Sequence, residues 1–122
     1  MHESGLFLND WQGKDARVLI ERFAITRRDL GDVEILLASY SSDAFCGEAF
    51  VLFKKGDRLY EVNASHDSSD GMVGQWEPEE TMVAALRYRL ENGHLGSPEG
   101  GLNLFVDELR FLLVELEADG FR

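Results

Sequence analysis

Hydrophobic positions change period several times along this chain, and each change marks an element. Val18, Leu19 and Phe23 fall at helical spacing, so residues 14–24 are expected to form a short helix with one apolar face. Thr26 then precedes Arg27-Arg28-Asp29-Leu30 and Gly31, the pattern of a capped single turn stopped by glycine. Across residues 32–40 apolar side chains occupy both phases of a two-residue alternation, with Val33, Ile35 and Leu37 on one side and Leu36, Ala38 and Tyr40 on the other. That is a strand covered on both faces, closed by the turn Ser41-Ser42-Asp43. Ala49-Phe50-Val51-Leu52-Phe53 is apolar in both phases, which puts a strand at 48–55 in the middle of the sheet. Lys55-Gly56-Asp57 suits a tight hairpin into a third strand, 58–64, where Tyr60 and Val62 face one way and Glu61 and Asn63 the other.

The period then returns to that of a helix. Pro78 fits a first helical turn, Glu79 and Glu80 meet its positive dipole end, and Met82, Ala85, Leu86 and Leu90 form a stripe ended by Asn92-Gly93, so a helix is expected over 78–91. Residues 93–101, rich in glycine and holding Pro98, read as a mobile connection. A last helix over 103–118 carries Phe105, Leu109, Leu112, Leu113 and Leu116, and Leu104, Val106 and Phe111 widen that stripe beyond one face. The extra apolar surface suits either core or a homodimer seam on the C-terminal helix. The expected architecture is therefore a single α+β domain: a three-stranded antiparallel meander packed with helices 14–24, 78–91 and 103–118. Residues 1–13, with Leu6, Phe7, Leu8 and Trp11, read as a flexible leader, an added edge strand or a segment that engages a partner.

Composition narrows the class. At 122 residues and 44% apolar the chain has one core to fill, and no apolar run nears the roughly 20 residues that span a bilayer. The start lacks the basic region and long apolar run of a signal peptide, so a cytoplasmic location is expected, and the lone Cys46 rules out an internal disulfide or a cysteine-based zinc site. Twelve Lys and Arg stand against 23 Asp and Glu, a formal charge of −11, which opposes the phosphate neutralisation that nucleic-acid binding requires. The first thirty residues are nearly balanced. Between Arg58 and Arg87 there are six carboxylates and no Lys or Arg: Glu61, Asp67, Asp70, Glu77, Glu79 and Glu80. Such a run is either a solvated face or a surface that meets a basic partner.

Candidate chemistry gathers at His66-Asp67-Ser68-Ser69-Asp70-Gly71. A calcium loop is excluded, since its first position would be His66 and no helix precedes it; no Gly-x-Ser-x-Gly elbow exposes a serine nucleophile. Local Asx and Ser turns account for the residue types, and a Cys46–His66 pair across neighbouring strands stays open. Gly71-Met72-Val73-Gly74 has no lysine and is no phosphate loop. Trp76, just before the expected helix, reads as a staple against its first turn or as an interface anchor.

The run Leu59-Tyr60-Glu61-Val62-Asn63-Ala64-Ser65-His66, a glycine five residues on, and Gln75-Trp76-Glu77-Pro78-Glu79-Glu80-Thr81 leading to Ala85-Leu86-Arg87 resembles a family of small, mostly uncharacterised bacteriophage and prophage proteins. The similarity extends upstream through 32–40 and 49–53. Members of that family carry Cys-Ser-Cys after the histidine, a set suited to zinc; here those positions are Asp67-Ser68-Ser69, so His66 with Asp67 is at most a weak metal set and no cofactor is expected. The resemblance implies action by binding a host protein, without catalysis, for example as an inhibitor of a nucleic-acid-binding defence or transcription complex. Asp67, Asp70, Glu77, Glu79 and Glu80, with Trp76, are the expected contacts to a basic host surface; the alternative is a metal-binding or hydrolytic protein centred on His66, Asp67 and Asp70, or a homodimeric accessory protein.

Overall fold

Gly56 sits at a φ of 65° in the two-residue turn that joins β3 (Gly47–Lys55) to β4 (Arg58–His66), a conformation that costs glycine nothing. The turn pairs Lys55 with Arg58 and thereby sets the antiparallel register back to Gly47 opposite His66. The computed structural model describes residues 5–42, 47–66, 72–93, 95 and 105–122. β2 (Glu34–Ser42) lies antiparallel on the other side of β3, so the expected meander forms the centre of the sheet with β3 in its middle.

The sheet is wider than three strands. β1 (Leu6–Asn9) adds to β2 in parallel and β5 (Glu79–Thr81) adds antiparallel to β4, giving five strands in the order β1-β2-β3-β4-β5. A parallel neighbour requires a crossover, and α1 (Ala16–Phe23) with α2 (Arg27–Leu30) supplies it between β1 and β2. Of the three roles open to the leader, residues 6–9 take that of an edge strand. Trp11 follows, buried and stacked on Tyr40 at 5.4 Å between ring centres.

Helices cover both faces, for two different apolar sets. Leu19 and Phe23 of α1 and Leu30 of α2 pack with Tyr40, Val51, Phe53 and Val62 on one face. Val83, Leu86 and Leu90 of α3 (Val83–Glu91) and Leu109, Leu112, Leu113 and Leu116 of α4 (Val106–Ala118) pack with Leu37, Phe50, Leu52 and Leu59 on the other. Leu37 therefore departs from the strict alternation expected of β2. The register slips between Ile35 and Leu37, and this bulge turns Leu36 and Leu37 together toward α3 and α4 while Ile35 and Ala38 keep the opposite face.

The helix expected over 78–91 begins only at Val83. Glu79–Thr81 pairs with Leu59, Tyr60 and Glu61, satisfying the outer backbone groups of β4, and Met82 is still extended at φ −149° and ψ 160°. The later start rotates the buried face: Val83, Leu86 and Leu90 point inward, whereas Met82 is 55% exposed and Ala85 is exposed. Met82 offers this helix no side-chain cap; the backbone oxygen of Arg122 accepts from the Ala84 N–H at 3.2 Å, and Phe121 packs against the same core. Helices 14–24 and 103–118 are shorter than expected at Ala16–Phe23 and Val106–Ala118. The connection expected at 93–101 lies almost wholly outside the described residues. Among the described residues no helix is long and apolar enough to cross a membrane.

Candidate acidic interface

Glu61, one of the carboxylates between Arg58 and Arg87, is held by Arg89 and Asn63 more closely than any other acid among the described residues. It is 5% exposed on the face of β4 that α3 covers, and Arg89 of α3 reaches it with two nitrogens at 2.7 and 2.9 Å. Asn63 Nδ2 donates a third hydrogen bond at 2.8 Å. Burial is the largest single influence on its pKa and pushes it up, but hydrogen bonds from Arg89, Asn63 and Thr81, with the Arg89 charge, outweigh that and hold the carboxyl below its ordinary value. The same hydrogen bond raises the Arg89 pKa against its own desolvation. The pair fastens α3 to β4. Alternation had placed Glu61 opposite Tyr60 and Val62 correctly, but which helix would cover that face, and that Arg89 would point at it, depended on the start of α3.

Directly across the sheet, Glu79 of β5 stands opposite Glu61 and Glu80 opposite Tyr60. Two carboxylates facing each other across a ladder repel, and Arg89 offsets this because its charge also attracts Glu79. Glu80 lies on the other face and takes Arg58 Nη1 at 3.2 Å to both oxygens. Glu77, Glu79 and Glu80 are all exposed, and β5 is the outermost strand, so these acids line one edge of the sheet.

The segment leading to that edge is held firmly. The side chain of Gln75 imitates a paired strand residue, accepting from Ser65 N at 3.0 Å and donating to Ser65 O at 2.7 Å. Met72 is fully buried. Trp76 is half-buried, stacked on Phe53 at 5.9 Å and edge-on to Phe23 at 5.2 Å. Its ring thus packs on β3 and α1, not on the first turn of the following helix as a staple would.

Asp67 and Asp70 lie outside the described residues, as does Cys46; His66 ends β4 opposite Gly47, and its side chain lies outside them too. The His66 loop and the Cys46–His66 pairing are therefore not placed by this structure. Among the described residues no group of three or more His, Cys, Asp or Glu is arranged to hold a metal ion. No protein-family model, no curated protein and no solved structure matches the chain.

Proposed function

We propose that this protein works by binding, engaging a basic surface of another protein through the acidic edge formed by Glu77, Glu79 and Glu80, with Asp67 and Asp70, which precede them in the sequence, as further contacts. The supporting observation is that these three exposed carboxylates sit within four residues, Glu79 and Glu80 on the outermost strand and Glu77 just before it, beside a segment pinned by Met72, Gln75 and Trp76. A rigid row of negative charge costs little ordering entropy on association and steers a cationic partner at a rate that salt suppresses. Glu61 takes no part, since its oxygens are already committed to Arg89 and Asn63. Trp76 contributes only its exposed edge.

The resemblance to phage and prophage proteins makes a host protein the expected partner, and a nucleic-acid-binding defence or transcription complex offers the basic surface that carboxylates spaced like phosphates would occupy. The test is recovery of a partner from host lysate by tagged protein, washed at low and high salt, beside a Glu77→Lys/Glu79→Lys/Glu80→Lys variant. One protein retained at low salt, released by salt and lost with the variant is the expected result. Retention that ignores both salt and the variant would rule out the acidic edge as the contact.

A further inference from the structure

α4 buries one side and leaves an apolar seam on the other. Phe111 is 66% exposed, Val114 is 56% exposed, and Ala118 is exposed beside them. Their spacing of three and four residues places them on one line along the helix, the arrangement by which one helix seats against another. Tyr88 of α3, also 66% exposed, stands on the neighbouring helix of the same layer.

We propose that this seam is where two copies of the chain meet, with their α4 helices antiparallel about a two-fold axis at Val114. The register follows from size and charge. With Val114 against its own mate, Phe111 of one copy lies within one residue's rise, about 1.5 Å along the axis, of Ala118 of the other and on the same flank, a large side chain beside a small one, twice over. On the opposite flank the same register brings Arg110 of one copy within about 1.5 Å along the axis of Glu117 of the other. Arg110 is 53% exposed and reaches Asp107 only at 3.8 Å. Glu117 holds Arg87 through Oε2 at 2.9 Å, and its side chain is 46% exposed, which leaves it room to accept from the second copy. An antiparallel pair with this self-complementary pattern closes as a dimer, whereas a parallel pair would set Phe111 against Phe111 and Arg110 against Arg110. Glu115 approaches its own mate on the far flank, a cost that exposure to water keeps small. A single helix pair with Tyr88 at its rim falls at the low end of stable interfaces, so the dimer is expected to dissociate on dilution.

Sedimentation over a concentration series up to about 1 mM tests this. The wild-type mass should rise from the monomer's 13.8 kDa toward twice that value, and Val114→Arg, which brings two cations together at the axis without touching the core, should stay monomeric with unchanged circular dichroism. The register is read separately by crosslinking in a Cys46→Ser background. Val114→Cys should oxidise to a covalent dimer, because residues on the axis bring their Cβ atoms within about 4 Å, and Glu108→Cys should not. A chain that stays monomeric throughout, or a dimer indifferent to Val114→Arg and uncrosslinked at 114, would overturn the proposal.

Discussion

Removing the Arg89 guanidinium strands a carboxylate that is 5% exposed and has Glu79 directly across the ladder. Arg89→Met should therefore cost about 2–3 kcal/mol in urea denaturation, less than the roughly 3–5 of a fully buried pair because Arg89 is itself about a third exposed, whereas Arg89→Met with Glu61→Met should cost distinctly less. The pair also fixes a pH dependence. Because the folded pKa of Glu61 lies below its unfolded value of about 4.5, its contribution is complete above that value and is lost as pH falls through the folded pKa. Wild type should lose stability below pH ~4.5 more steeply than Glu61→Gln, measured as urea midpoints across pH. At Trp11 the balance runs the other way. The buried indole Nε1 finds no acceptor among the described residues, an omission that costs about 1–3 kcal/mol. Trp11→Phe gives up some stacked area on Tyr40 but removes the orphaned donor, so its midpoint should stay within about 1 kcal/mol of wild type, while Trp11→Ala should cost about 3–5 kcal/mol.

Among the elements, β1 rests on one glycine. Gly5 has a φ of 94°, and a Cβ there would stand 2.6 Å from the Ile35 carbonyl oxygen. Gly5→Ala should detach the edge strand locally: amide exchange of Leu6–Asn9 should accelerate while that of β3 and β4 stays protected. Elements with a strong local signal were legible in the sequence. The Thr26 and Asp29 capping box forms as the residue pattern implies, with reciprocal hydrogen bonds of 3.0 and 2.9 Å, and the Gly56 hairpin joins β3 to β4. The start of α3 was not legible, because Pro78-Glu79-Glu80 suits a helix opening as well as it suits an edge strand. The unpaired outer side of β4 decided between them, and local propensity does not see it. The same blindness hid the bulge at Leu36, since a run apolar in both phases carries no phase to slip.

For the molecule as a whole, charge is unevenly placed. Basic side chains concentrate in 14–28, in and around the layer of α1 and α2, while Glu77, Glu79 and Glu80 line the β5 edge. A Glu77→Gln/Glu79→Gln/Glu80→Gln variant removes three of the 23 carboxylates from exposed positions and brings the formal charge of −11 three units closer to zero. Its urea midpoint should move by no more than about 0.5 kcal/mol equivalent, and its retention on an anion exchanger should fall, separating the electrostatic role of the edge from any role in folding. The candidate interface was half legible from the sequence. The excess of carboxylates between Arg58 and Arg87 is plain in the order of residues, but the division of the described ones into Glu61 committed to Arg89, Glu79 drawn to the same arginine, Glu80 paired with Arg58, and the exposed Glu77 is not.

By itself the sequence determined the class and the centre: an α+β chain with a three-stranded meander, apolar on both faces at β3, flanked by helices before and after. Those features follow from period, turn residues and caps, which act over a few neighbouring positions. Only the tertiary structure decided the two outer strands, the face each leucine of β2 takes and the partner of Glu61. Each depends on groups far apart in the chain: Leu6–Asn9 on β2, Glu79–Thr81 on β4, Arg89 on Glu61. Backbone groups left open at a sheet edge and a carboxylate taken out of water must find partners wherever the fold brings them, and that demand outweighs local preference.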